Sequence, residues 1–229
     1  MQNINEKQAV VQGWLGHTPE IFSNKLLAQS TRVEAEKGRV IFSVGEEANG
    51  LWGIAKGQAH FNIATHESGP RFAHIIGPGS WFGDHELLTG STRILEVKTS
   101  SDCVLFHVPE RKFLSLAAEY QLTWRWLGLL ATQHTFLALG SADDLMIGNS
   151  EVRLAALLLR LSGRRGAPEK TIPLDELEVT QQNISEALNL SRTATGQKLR
   201  RFREDNIIGF SYNKLQILDP QALEARLAE

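Results

Sequence analysis

Residues 179–202 read VTQQNISEALNLSRTATGQKLRRF, the pattern of two short helices about a tight turn. Thr180 offers a side-chain oxygen to cap the first helix, and Ile184, Ala187 and Leu188 then share one apolar face. Asn189 and Leu190 interrupt it. Ser191 can cap a second helix in which Ala194, Leu199 and Phe202 return to the core, leaving Arg192, Thr193, Thr195, Gln197, Lys198 and Arg201 outward. Between Ala187 and Arg203 stand five basic residues and no acidic one. Donors and acceptors at a helix start, with cations in later turns, suit a helix whose beginning meets base edges and whose later turns meet phosphates. Thr180 and Gln181, opening the first helix, and Ser191, opening the second, join these residues as candidate DNA contacts. A capped helical hairpin with a merely solvated basic face shares most of these features. Favouring the reader are the small Ala187 near the crossing, the Ser-Arg-Thr start, and residues 207–218, which look like a hairpin wing with a polar turn at 212–214. The expectation is a winged helix-turn-helix whose second helix enters the major groove of double-stranded DNA.

The chain has 229 residues, so two packed units are the natural expectation. With 42% hydrophobic and 22% charged residues it can fill real cores, which excludes extended disorder. No apolar run reaches membrane-spanning length and the first residues lack a secretory pattern, so a cytoplasmic protein with no membrane partner is expected. The single cysteine, Cys103, cannot form an internal disulfide or a cysteine-ligated cluster. At a formal net charge of −2, contact with DNA must be confined to a patch.

Upstream of the reader, Thr18-Pro19-Glu20 starts a helix with Ile21, Phe22, Leu26 and Leu27 as its apolar side. Residues 32–109 alternate in strand fashion between frequent glycines, with the clearest strands at 39–44, 50–55, 58–63, 71–76 and 103–108. Such spacing predicts a double-sheet roll. From Phe113 the period is helical: Leu116, Ala117, Tyr120, Trp124, Leu127, Leu130, Ala131, His134, Leu137 and Ala138 form a near-heptad seam that calls for a partner chain. Residues 140–143 are expected to break this helix as a hinge. A further helix at 150–161, a turn-rich connector at 163–168 and a short strand at 171–174 lead into the reader, and Asp219-Pro220 opens a last helix.

Several motifs stand in a telling order: Lys37-Gly38, the Val44-Gly45-Glu46 turn, LWGIAKG at 51–57, GPGSWFGD at 77–84, Arg93 and the Asp102-Cys103-Val104-Leu105 strand. With the long helix and winged helix they resemble the CRP/FNR regulators, cyclic-nucleotide-receptor-like bacterial transcription factors, over about residues 22–218. The resemblance implies an α+β fold: a jelly-roll (double-stranded β-helix) sensor of the cyclic-nucleotide-binding type over residues 1–110, a dimerisation helix over 111–140, and the winged helix-turn-helix over 141–229. It also implies a homodimer that binds a two-fold operator and contacts RNA polymerase, and it is not that of an enzyme. In cyclic-AMP-binding members a Gly-Glu pair meets the ribose, and an Arg followed by Ser or Thr clamps the phosphate. Here those positions read Gly83-Asp84 and Arg93-Ile94. Ile94 cannot donate, which would forfeit ~1.5–3 kcal/mol toward a charged phosphate. The long-helix positions that offer hydroxyls to adenine fall at Ala138 and Leu139. The candidate effector pocket is therefore Phe82, Gly83, Asp84, Glu86, Arg93, Ile94, His134 and Ala138, with a small-molecule effector other than cyclic AMP and no metal or further cofactor expected. Equally open is a filled cavity in which Arg93 pairs with Asp84 or Glu86. In the reader, the resemblance gives Arg192 the guanine-reading role. Thr193 and Gln197 stand where many members place Glu and a second Arg, so a different half-site is expected, with Gln197 favouring adenine.

Two rival classes remain at this level. His60, His66, His74, His85 and His107 lie in the roll, and some relatives of the family bind haem, so a metal sensor or cupin-like metal enzyme has ligands to draw on. Their spacing forms no ligand motif, and alternation along strands sends neighbours such as those in Asp84-His85-Glu86 apart. A sensor acting by protein contact alone is the third class.

Overall fold

The computed structural model describes residues 2–65, 68–166, 172–211 and 214–228, with side chains for all but 2–5, 65 and 68. His66, Thr171, part of the 163–168 connector and the wing turn at 212–213 lie outside the described residues.

The chain opens with helix α1 (Gln2–Val11), a 3-10 turn (Gly13–His17) and helix α2 (Glu20–Ala28). Phe22 and Leu26 of α2 are buried, but Ile21, expected beside them, is exposed. The roll follows as β1 (Thr31–Ala35), β2 (Val40–Phe42), β3 (Gly50–Lys56), β4 (Ala59–Thr65), β5 (Ser68–Ile76), β6 (Trp81–Phe82), α3 (Asp84–Thr89), β7 (Leu95–Thr99) and β8 (Cys103–Pro109). Its strands form two antiparallel sheets, β1-β8-β3-β6 and β2-β7-β4-β5. Period-two alternation divides the core between the two faces of the first sheet. Trp52, Ile54 and Leu105 point between the sheets with Phe42, Phe82 and Val97, while Leu51, Ala55, Phe106 and Val108 meet the helices outside. Cys103 is buried in the inner layer, and burial pushes its thiol pKa up to about 11.

Helix α4 (Glu110–Glu119) and helix α5 (Thr123–Met146) replace the single long helix expected over residues 111–140. The chain turns at Tyr120, whose ring lies 6.4 Å from Phe22, and this lets Phe113 and Trp124 meet edge to face at 5.7 Å. Nor does α5 break at 140–143. Ser141 Oγ bonds Leu137 O at 3.0 Å within the helix, and Asp144 in its last turn is held by Arg160 and Arg165. The break falls at residues 147–149, where Arg153 donates twice to Ile147 O and Asn149 caps α6 (Ser150–Leu161).

The C-terminal unit contains β9 (Glu176–Leu177), α7 (Gln181–Leu188), α8 (Arg192–Glu204), β10 (Ile208–Ser211), β11 (Lys214–Ile217) and α9 (Pro220–Ala225). The strand expected at 171–174 lies instead at β9, paired to β11 through Leu215 and Leu177. Phe72 and Ile75 of β5 belong to the same apolar cluster as Leu158, Ile184 and Leu199, so the reader packs directly on the roll.

Candidate nucleic-acid interface and sensor pocket

Helix α7 begins with a reciprocal cap: Thr180 Oγ1 accepts from Asn183 N–H at 3.2 Å and Asn183 Oδ1 accepts from Thr180 N–H at 2.9 Å. It ends at Asn189 in the left-handed region (φ 51°), a conformation asparagine tolerates, and Ser191 then caps α8 through Ala194 N–H at 3.2 Å. The resulting turn sets the start of α8 outward. Arg192, Thr193, Gln197 and Arg201 are exposed and Lys198 half-buried. Arg201 is tied to Glu151 of α6, whereas Arg192, Lys198, Arg200 and Arg203 form no ion pair among the described residues. Thr195 does not belong to this face. It is fully buried, and the inward stripe of α8 is Thr195, Leu199 and Phe202, with Ala194 only half-buried. The i, i+4 step from 195 to 199 aligns these side chains, and Thr195 is buried, its Oγ1 without a hydrogen-bond partner among the described residues, where a purely polar reading placed it in solvent.

In the roll, Arg93 is 1% exposed. Its Nη1 donates to Glu86 at 2.6 Å, its Nη2 donates to Asn49 Oδ1 at 2.7 Å and Gly50 O at 3.2 Å, and its guanidinium lies 3.9 Å from the Phe42 ring centre. Gly83, at φ 98°, makes this possible: a Cβ there would come within 2.6 Å of Gly50 O and 3.1 Å of Arg93 Nη1. Asp84 accepts from His134 of α5 at 2.9 Å. The structure thus brings together Phe82, Gly83, Asp84, Glu86, Arg93 and His134 as a packed, internally paired cluster. Ile94 and Ala138 are not in it; both are exposed. Asp84, His85 and Glu86 sit on helix α3 rather than a strand, with Asp84 and Glu86 committed to His134 and Arg93. Behind His134, a cavity of about 90 Å³ is lined by His74, Trp81, Leu137 and Arg160, far below the ~300–1,000 Å³ of a small-molecule pocket. A larger groove of about 470 Å³ runs between the β2-β7-β4-β5 sheet and the start of α7.

The remaining histidines have separate partners. His60 Nε2 lies 2.7 Å from Glu178 O, and His107 stacks on Trp52 at 4.0 Å. His74 Nδ1 lies 3.2 Å from Arg160, and burial followed by the Arg160 charge drives its pKa down to about 3. Among the described residues, no group of three His, Cys, Asp or Glu side chains is arranged to hold a metal. Also among them, no helix is long and apolar enough to cross a membrane.

Residues 32–120 match the cyclic nucleotide-binding domain family, and residues 152–226 match the Crp-like helix-turn-helix domain family. The chain belongs to the CRP/FNR family of transcription regulators. It is 27% identical over 221 residues to the global nitrogen regulator of Synechococcus elongatus, spanning 91% of this chain and 94% of that relative. FixK2 of Bradyrhizobium japonicum shares the fold with a TM-score of 0.70 at 18% identity, over 86% of this chain and 96% of that one. The c-di-GMP-responsive global regulator CLP of Xanthomonas campestris does so with a TM-score of 0.64 at 18% identity, over 86% and 97%. This CRP/FNR chain is therefore a DNA-binding regulator rather than an enzyme, with an N-terminal domain of the effector-binding type.

Two members of the reader escape the motif-based reading of the regulator. Gln182 and Glu186 bond each other at 2.5 Å, and Gln182 also bonds Arg192. Their i, i+4 spacing on α7 was the available signal.

The His134–Asp84 contact carries a pH signature. Burial lowers the His134 pKa, but the Asp84 charge and hydrogen bond, with the Trp81 carbonyl and the Glu86 charge, outweigh it and leave it raised. A raised folded-state pKa contributes stability that is complete below the unfolded value of ~6.5 and is lost as pH rises through the folded value. His60, His74 and His107 are shifted downward, so their contributions change only below that unfolded value. Melting temperatures above pH 6.5 should therefore fall with pH in the wild type and fall less in His134→Gln; identical slopes would refute the assignment.

Proposed function

We propose that this regulator is a cytoplasmic homodimer that reads a two-fold operator with α8, contacts RNA polymerase when bound, and is controlled through its roll by an effector other than cyclic AMP. The observation that carries the DNA reading is the outward start of α8. There Ser191 is spent on capping, and Arg192 stands exposed with Nη1 and Nη2 free of partners among the described residues. A guanidinium so placed can bond guanine O6 and N7 together, with Thr193 and Gln197 beside it. Thr180 and Gln181 at the start of α7 and Lys198 in α8 then lie where backbone phosphates are met. The effector reading is supported by the commitment of Arg93. A cyclic phosphate would have to displace Glu86 from a buried pair, and Ile94 offers it no donor. The c-di-GMP-responsive CLP regulator has the same fold, so the fold does not dictate cyclic AMP.

Dimerisation is supported by the outward face of α5. Gly128, Thr132, Thr135, Leu139, Ala142 and Met146 recur in alternating steps of four and three, with Phe136 alongside. The hydroxyls of Thr132 and Thr135 are satisfied within the helix by Gly128 O and Ala131 O, leaving their methyl groups to offer a partner.

Selection of bound duplexes from a random pool, with and without cyclic AMP, tests the whole reading. A two-fold consensus unaffected by the nucleotide is expected; no enrichment would sink it. On the selected site, Arg192→Ala should cost ~1–3 kcal/mol and relax one base position. Lys198→Ala should weaken all sequences alike and lower the salt slope by about 1. An equal loss on specific and random DNA for Arg192→Ala would remove its base-reading role.

A further inference from the structure

A hydrogen-bonded relay runs from the sensor sheet to the start of α8. Phe72 N–H on β5 donates to Glu186 Oε2 at 3.0 Å, Gln182 Nε2 donates to Glu186 Oε1 at 2.5 Å, and Arg192 Nε donates to Gln182 Oε1. The polarity of this relay is forced. A carboxylate only accepts and a guanidinium only donates, so the amide between them can stand in one sense alone, nitrogen toward Glu186 and oxygen toward Arg192. A second hold comes from the preceding residue. Gln181 Nε2 donates to the Arg192 carbonyl at 2.7 Å, lying where a Cβ on Gly196 would come within 2.6 Å of it. Glycine at 196 leaves room for that side chain to cross the face of α8.

Both the backbone of Arg192 and the root of its guanidinium are thus fixed from α7. Its Nη1 and Nη2 retain no partner among the described residues. We infer that Gln182 and Glu186 are specificity-determining positioning residues, which hold Arg192 by Nε so that its terminal fork meets a guanine edge already aligned. This rests on the reading of Arg192 as a base reader. An unrestrained arginine at an exposed helix start must lose rotamer freedom when it binds, and it can turn toward phosphates or other base edges. Fixing Nε beforehand removes part of that cost and favours the one acceptor pair that both Nη donors can reach together. Glu186 acts through Gln182. With Gln at 186 the facing amide can offer a donor, Gln182 can turn over, and its nitrogen then faces the guanidinium.

The test uses the full-length protein and the duplex selected from a random pool, with every base placed in turn at every half-site position. Arg192→Ala should flatten the preference at one base pair. Gln182→Ala should lower the preference at that same pair about three- to tenfold, the range of one hydrogen bond, and leave the other positions and random-sequence affinity unchanged. Glu186→Gln, isosteric and able to keep α7 folded, should move the same pair in the same direction. In an Arg192→Ala background, Gln182→Ala should add nothing. A Gln182→Ala loss that is absent, that is spread over all positions, or that persists without Arg192 would overturn the positioning role while leaving Arg192 as the reader. If Arg192→Ala leaves every base preference intact, the reader assignment itself fails and the inference falls with it.

Discussion

Replacing Glu86 by alanine is expected to destabilise the protein by about 3–5 kcal/mol, the cost of leaving one member of a buried ion pair without the other. Arg93 and Glu86 are 1% and 3% exposed, and their 2.6 Å contact is the only ion pair either forms among the described residues. After the substitution Nη2 would still meet Asn49 and Gly50 O. Nη1, however, would join Nε, which is already buried without an acceptor. The guanidinium cannot lose its proton to escape the cost. Glu86→Gln retains an acceptor and should cost less. The double substitution Arg93→Met with Glu86→Leu removes both charges and should cost well under the sum of the single losses, with a coupling of about 1–3 kcal/mol. Urea unfolding at fixed protomer concentration puts the wild type, Glu86→Ala, Glu86→Gln, the singles Arg93→Met and Glu86→Leu, and their double on one scale. Additive single losses would mean that the two residues do not stabilise one another. The same measurement bears on the sensor, since an external anion at Arg93 would face the competition that holds the pair together.

How far the sequence can be read depends on where each residue's partner lies. Thr180 and Ser191 cap helices through groups three residues away, so α7 and α8 begin where local chemistry places them. The roll strands are legible for the same reason: alternation is a local property, and both faces of β3 follow from it. The misplaced features depend on distant partners. Tyr120 ends α4 because Phe22, almost a hundred residues earlier, receives its ring. Residues 140–143 stay helical because the following turn is anchored by Arg160 and Arg165 from beyond the helix. Helix α1 has no apolar period to announce it, and Val10 alone of its described side chains is buried. The pocket fared likewise. The sequence brings Asp84, Glu86 and Arg93 to one place, but only packing decides whether the arginine meets an effector or Glu86, and it turns Ile94 and Ala138 outward. In the reader a hydroxyl misled: Thr195 reads as polar and is buried.

Introducing glutamate at both Phe136 and Leu139 is expected to convert the protein to a monomer and to lower operator affinity by about 10²–10⁴-fold, the advantage lost when a second half-site is no longer tethered. Helix α5 carries two heptad stripes. Leu127, Leu130, His134 and Leu137, part of the seam anticipated from the sequence, face this chain's own roll, with Leu127 and Leu130 buried. The opposite stripe holds Phe136, Leu139 and Met146, which are 63%, 59% and 84% exposed. Periodicity announces that an amphipathic face exists, and a helix apolar on two faces needs two surfaces to cover it. The roll covers one. A second copy of α5 is the self-complementary cover for the other, and it would hold two α8 starts in the fixed relation that a two-fold operator demands. Two carboxylates per chain in that seam would have to be desolvated beside two more, whereas in a monomer they remain in water at little cost. Light scattering gives the mass, and a titration with one half-site separates the loss of tethering from damage to the reader. The variant should bind an isolated half-site as well as the wild type does. Persistence of the dimer in the double variant, or an equal loss on the single half-site, would move the dimer contact elsewhere.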